Sequence, residues 1–222
     1  MEIRFEAIPV GLLETNCYLI WEDSSGSALI LDPGDELSRI VKRARELQLR
    51  VSAIALTHAH VDHAGVAGSI AEMFGLPVLL HPADLALLET IPFQATLYGL
   101  PEPDPIHETA PLRDGEHIVL GKQRLEVRHT PGHSPGSVCI VSQSARTAWV
   151  GDLVFRGSVG RTDIPGGSPQ DLSKSLREVI LSLPDEFRLC PGHGPETTVG
   201  EERCGNPFLR GLIQPHAHGE EP

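Results

Sequence analysis

The chain has 222 residues, 40% of them hydrophobic and 22% charged, which fits a soluble globular protein with a substantial core. Its formal net charge of -12 argues against a non-specific nucleic-acid binder, which needs a basic footprint, but leaves room for a local basic pocket. No apolar run is long enough to span a bilayer, and residues 1–16 lack the basic-then-apolar pattern of a secretory signal.

Along the chain, NCYLIWED (16–23) and SALILDPG (27–34) are apolar, β-rich runs separated by Ser24, Ser25 and Gly26, and they predict two strands. Pro33 and Gly34 break the second. In residues 35–48, Leu37, Ile40, Val41, Ala44 and Leu47 fall on one helical face, which predicts an amphipathic helix. VSAIALTH (51–58) reads as a buried strand, AGVAGSIAEMFG (64–75) as a helix stopped by Gly75, and LPVLLHP (76–82) as the next strand. Residues 90–112 are proline-rich and aperiodic, and we expect a long loop over one face.

The pattern then resumes. Residues 116–130 predict a hairpin, SVCIVSQ (137–143) and TAWVGD (147–152) predict strands, and residues 168–183 predict a helix with Leu172, Leu176, Val179 and Ile180 on one side. EFRLCPGHG (186–194) reads as a short strand and turn. Each half carries strands followed by helices without strict βαβ alternation. That predicts two sheets packed face to face with helices outside, in a single domain over residues 1–211, with 212–222 as a flexible tail. The scattered cysteines Cys17, Cys139, Cys190 and Cys204 form no CxxC pair, and we expect reduced thiols in a cytoplasmic protein.

The chemistry concentrates where strands end. THAHVDH (57–63) places His58, His60, Asp62 and His63 within one loop; His133 follows in HTPGHSPGS, Asp152 in GDLVF and His193 in PGHGP. Imidazole and carboxylate ligands suit Zn, Fe or Mn, and no cysteine is needed. Seven ligands are too many for one tetrahedral ion. His58 and His60 can face one ion while Asp62 and His63 turn toward a second. Three ligands on each side with a shared carboxylate then give two ions with open positions, bridged by Asp152 and a water. His81, His107, His117 and His129 belong to no such pattern and are expected on the surface or at strand ends, as are His216 and His218 in the tail.

THAHVDH, TPGHSPGS, GDLVF and PGHG together resemble the metal signature of the metallo-β-lactamase fold, over nearly the whole chain. The resemblance implies a four-layer αβ/βα sandwich of the α/β (α+β) class. It implies one metal site of His58, His60 and His133, a second of Asp62, His63 and His193, and Asp152 as the bridge. Asp32 in LILDPG resembles the aspartate that holds these ligands from behind. NCY, LDPG, GRTDIPGG and the closing PGHGPETTVGEERCGNPFL resemble the compact bacterial type II glyoxalases, hydroxyacylglutathione hydrolases that lack a separate helical substrate domain.

That resemblance implies a dinuclear metallohydrolase for S-2-hydroxyacylglutathione, such as S-lactoylglutathione. A metal-bridging hydroxide would be the nucleophile, with Asp152 and Asp62 as its catalytic carboxylates. The cofactors implied are two divalent ions, Zn foremost with Fe or Mn as alternatives. The partner implied is a small thioester, with no nucleic acid or membrane. The longer glyoxalases use a tyrosine after the last histidine, where this chain has Pro195. Only Arg161 matches a basic substrate-binding residue, and its other reading is an ion pair with Asp163. Rival expectations are a mononuclear iron persulfide dioxygenase and a lactone or other ester hydrolase of the same fold. A lactamase is less expected, because those enzymes generally lack the aspartate that Asp152 supplies.

Overall fold

The computed structural model describes residues 2–213. Its first sheet begins with strands β1 (Ile3–Val10), β2 (Thr15–Glu22) and β3 (Ser27–Leu31), paired antiparallel. Strands β4 (Arg50–Ala55), β5 (Val78–Leu80) and β6 (Thr109–Pro111) add to it in parallel, so the sheet order follows the chain. Parallel neighbours need crossovers. The predicted amphipathic helix, α1 (Leu37–Glu46), supplies the crossover from β3 to β4. Between β4 and β5 lie the short α2 (Val61–Ala64) and α3 (Ala67–Phe74), so the predicted 64–75 helix is split at Gly65–Val66.

The second sheet comes from β7 (His117–Leu120), β8 (Gln123–His129), β9 (Val138–Ser142), β10 (Thr147–Gly151), β13 (Arg188–Pro191) and β14 (Thr197–Thr198). Its order is β14-β13-β10-β9-β8-β7, and a two-stranded ribbon of β11 (Val154–Phe155) and β12 (Ser158–Val159) follows β10. The parallel β10–β13 pair is bridged by α6 (Pro169–Ser175), which continues as a wider turn over Leu176–Ile180. After β14 come α7 (Val199–Gly205) and α8 (Pro207–Ile213).

Side-chain alternation along the strands sorts the core into three layers. Tyr18, Ile20, Leu29, Leu31 and Ala55 of the first sheet meet Ile118, Leu125, Val127, Ile140 and Trp149 of the second. Their neighbours Cys17, Leu19, Ile30 and Ile54 point the other way, under Ile40 and Ala44 of α1 and Ile70 of α3. On the far side, Cys139, Val141, Ala148 and Val150 pack against Leu172, Leu176 and Leu209. The result is helix, sheet, sheet, helix, as the sequence reading expects.

Two expectations are corrected. Residues 90–112 are not a continuous loop: they hold α5 (Ile91–Tyr98), preceded by α4 (Leu85–Leu88), and then β6. Pro92 sits in the first turn of α5, where a missing N–H costs nothing, and Gly99 caps it in the left-handed conformation. The tail does not begin at residue 212, because Leu212 and Ile213 belong to α8 and Leu212 packs on the outer cluster. The rest of that tail, with His216 and His218, lies outside the described residues. Among the described residues no helix is long and apolar enough to cross a membrane. All four cysteines are free, and Cys17, Cys139 and Cys190 are buried.

Candidate metal centre

Four chain segments end at the same edge of the sandwich. The loop after β4 carries His58 and His60 and runs into α2, so Asp62 and His63 lie in the helix's first turn rather than before it. The 131–137 loop between β8 and β9 brings His133, the end of β10 brings Asp152, and the end of β13 brings His193. All seven sequence-predicted ligands therefore meet. They form overlapping groups whose ligand atoms lie within 4.8 Å of one another: His58, His60 and His133; His58, His63 and Asp152; and Asp62, His63 and His193.

Asp152 sits at the middle. Its Oδ1 is 3.4 Å from His63 Nε2, and its Oδ2 is 3.5 Å from His133 Nε2 and 3.7 Å from His193 Nε2. On the outer side, Asp62 Oδ2 lies 3.1 Å from His193 Nε2 and 3.6 Å from His63 Nε2. His60 instead turns Nδ1 inward, 2.9 Å from His133 Nε2.

The outward Nδ1 of the other four histidines is engaged. The ring N–H of His133 donates to the Arg161 carbonyl and that of His193 to the Leu13 carbonyl, each at 2.9 Å. His63 Nδ1 meets Asp32 Oδ2 at 3.0 Å, and His58 Nδ1 meets the Thr57 hydroxyl at 3.0 Å. These partners fix the rings and leave Nε2 free for the centre, the arrangement metal-ligating histidines need. His58 Nε2, His63 Nε2 and Asp152 Oδ1 are buried with no hydrogen-bond partner. Orphaned polar atoms are costly inside a protein, and three that converge fit divalent cations.

Electrostatics agree with that fit. Burial, then the neighbouring imidazoles, pushes His58 below the usual histidine range, and burial with His133 brings His60 down to about 4. Both are held neutral and able to ligate. Burial alone would raise Asp62 and Asp152, but His63 and the other facing imidazoles outweigh it and hold both carboxylates ionised. Burial would also lower His63 and His193, yet the surrounding carboxylates draw both upward instead. So many acids around His63 call for positive charge at this place, which a metal supplies. Cys190 stays outside the centre: burial pushes its thiol up, away from the thiolate a ligand requires.

Asp32 holds the ligand loop from behind as the resemblance implies. It is 1% exposed, adopts φ 54°, and accepts from Thr57 N–H at 2.6 Å and the Thr57 hydroxyl at 2.7 Å as well as facing His63. The NCY motif gains a physical role. Asn16 Nδ2 donates to the carbonyls of Pro191 (3.0 Å) and Gly194 (2.9 Å), and the Tyr18 hydroxyl donates to Pro191 O at 2.8 Å. Both clamp the turn that carries His193. Asn16→Ala is expected to destabilise the protein by about 1–2 kcal/mol in urea unfolding, since the Gly194 carbonyl loses its side-chain donor and the Pro191 carbonyl is left with Tyr18 alone. Unchanged stability would show that Tyr18 suffices.

Sequence reasoning missed Asn16 as a clamp, and also Thr15, whose hydroxyl donates to Asp62 Oδ2 at 3.2 Å, Asp84 and Gln94. Only the alternation of THAHVDH hinted that residues 57, 59 and 61 would need acceptors. Beside the centre an open groove of about 520 Å³ is lined by His133, Asp152, Phe155, Arg156, Arg161 and His193. Arg161 lines this groove and pairs in fork geometry with Asp163, at 2.8 and 3.0 Å, as the second of its two expectations has it. Among the described residues the stray histidines form no further ligand set; His81 and His129 stack on each other with ring centroids 3.9 Å apart.

Comparison with known proteins gives the same picture. Residues 10–193 match the model of the metallo-beta-lactamase superfamily. A Haemophilus influenzae protein named hydroxyacylglutathione hydrolase GloC is 38% identical over 209 residues, covering 93% of this chain and 98% of its own length. The crystal structure of TTHA1623 in a di-iron-bound form superposes with TM-score 0.85 at 42% identity, covering 92% of this chain and 100% of that one. The crystal structure of BLEG-1, described as a B3 metallo-beta-lactamase, gives TM-score 0.83 at 37% identity, covering 93% and 99%. The chain belongs to the metallo-β-lactamase superfamily of metal-dependent hydrolases.

Proposed function

We propose that this protein hydrolyses the thioester of an S-2-hydroxyacylglutathione, such as S-lactoylglutathione, at a centre of two divalent ions. The observation that carries the reading is the set of buried, partnerless ligand atoms, on His58, His63 and Asp152, beside an open groove that holds guanidinium groups. When bound, the ions supply Lewis acidity for the carbonyl and lower the pKa of a water toward about 7. His58, His60 and His133 would hold one ion, Asp62, His63 and His193 the other, and Asp152 both. Zinc and iron both suit this donor set, and the di-iron form of the similar TTHA1623 supports iron as an alternative to zinc.

The chain's own residues do the rest. Asp62 and Asp152 stay ionised, Asp152 lines the groove, and their carboxylates would orient the attacking water's proton. Arg161 offers a fork for a glutathione carboxylate, with Asp163 keeping the guanidinium in place. The departing thiolate is a weak base, so no dedicated general acid is required. The GloC relative supports the thioester, and the similarity to BLEG-1, described as a B3 metallo-beta-lactamase, makes β-lactam hydrolysis the competitor to test.

A substrate panel decides between them: S-lactoylglutathione, a lactone, a β-lactam and glutathione persulfide with oxygen uptake. Highest kcat/KM on the thioester is expected; a dominant β-lactam rate, or oxygen uptake with one iron per chain, would overturn the reading. Arg161→Ala is expected to raise KM for the thioester about tenfold with little change in kcat, the pattern of lost ground-state binding. An unchanged KM would mean that Arg161 serves only its pair with Asp163.

A further inference from the structure

The backbone of the 57–61 loop is held at alternate residues. The odd-numbered N–H groups point away from the metal centre, and each finds a side-chain acceptor: Thr57 on Asp32 at 2.6 Å, Ala59 on Asp84 at 3.0 Å, and Val61 on Gln94 at 3.0 Å. Asp32 also faces His63, and Gln94 also reaches Leu87 and Thr90, but neither bonds the loop that carries His133. Asp84, which is 0% exposed, also reaches the loop that carries His133. Its Oδ2 accepts from the Ser134 hydroxyl at 2.7 Å and its Oδ1 from the Gly136 N–H at 2.5 Å.

We propose that Asp84 is a positioning residue of the metal centre, its carboxylate tying the loops of His58, His60 and His133 into one unit and setting the geometry of that three-histidine site. The proposal rests on the metal-centre reading. Ala59 lies between His58 and His60, and Ser134 adjoins His133, so a shift at Asp84 moves all three imidazoles relative to one another. The contact is close enough to demand glycine. A Cβ on Gly136 would fall 2.7 Å from both Asp84 Cγ and Asp84 N, so the 131–137 loop seats on Asp84 only without a side chain there.

The remaining ligands are held independently. His63 leans on Asp32, His193 on the Leu13 carbonyl, and Asp62 on the Thr15 hydroxyl. A residue that merely stabilised the fold would loosen both metal sites alike. Loss of the Asp84 tie is expected to loosen one.

The test is a titration of metal-free protein with Co²⁺ against a competing chelator, followed by its ligand-field absorption. Asp84→Asn keeps the size of the side chain but turns one acceptor into a donor that faces donors. Gly136→Ala leaves the carboxylate intact and displaces the loop, so it decides the matter if the first variant does not fold. Each is expected to weaken one cobalt site about tenfold or more, to alter that site's spectrum, and to leave the other as in the parent. Parent-like affinities and spectra, or equal weakening of both sites, would overturn the assignment to Asp84 while leaving the metal centre standing. A parent protein that takes up no cobalt would instead remove the metal centre, and this proposal with it.

Discussion

Asp152→Ala is expected to strip metal from the protein and lower kcat/KM for the thioester by on the order of a thousandfold, about 4 kcal/mol in activation free energy. Its two carboxylate oxygens lie 3.4 to 3.7 Å from the ring nitrogens of His63, His133 and His193, so its carboxylate faces both histidine groups. Removing it leaves imidazoles with no shared anion between them. Asp152→Asn preserves volume but not charge, and should retain part of the metal. Elemental analysis after dialysis, paired with thioesterase assays, reads both effects. An alanine variant with the parent's metal content and turnover would remove Asp152 from the centre.

Asp32→Ala carries the largest expected loss of stability, about 4 kcal/mol in urea unfolding of the metal-free protein. Thr57 N–H and the His63 Nδ1–H would be left buried without an acceptor, at about 1–3 kcal/mol each. The Thr57 hydroxyl would still accept from the His58 Nδ1–H 3.0 Å away, while its own hydrogen loses the Asp32 acceptor. The backbone adds to the loss. Asp32 has φ 54°, a region that asparagine and aspartate tolerate better than alanine. Asp32→Asn, which suits that conformation and keeps one acceptor oxygen, should recover about half. An alanine variant within about 1 kcal/mol of the parent would show that the ligand loop holds itself.

The strands and the ligands were legible because both have short-range signatures. Unbroken apolar runs within residues 16–31 and 137–151 mark strands buried on both faces, and HxHxDH declares its ligands within one loop. β1 escaped notice although Ile3, Phe5 and Ala7 alternate with Arg4 and Glu6, since charges interleave along this edge strand. α5 escaped for a different reason. Residues 91–98 are apolar on all sides, with Phe93 and Leu97 exposed, so no helical period shows, and Pro92 reads as a breaker where it is a starter.

Of the supports of the site only Asp32 was legible, through the LDPG motif. Asn16 reaches Pro191 across 175 positions, and Asp84 reaches Ser134 across 50. A buried polar residue declares itself only through partners that the fold brings near. Arg161 illustrates the limit from the other side: the pair with Asp163 is visible in the groove wall, and the substrate fork remains the proposal that the Arg161→Ala measurement tests.

The most direct test of the account is a stoichiometric titration of metal-free protein with zinc, and separately with ferrous iron, while S-lactoylglutathione hydrolysis is followed. The account predicts no turnover without metal and a rate that rises to a plateau at two ions per chain. Full thioester turnover in the metal-free protein, or a plateau at one ion, would contradict it.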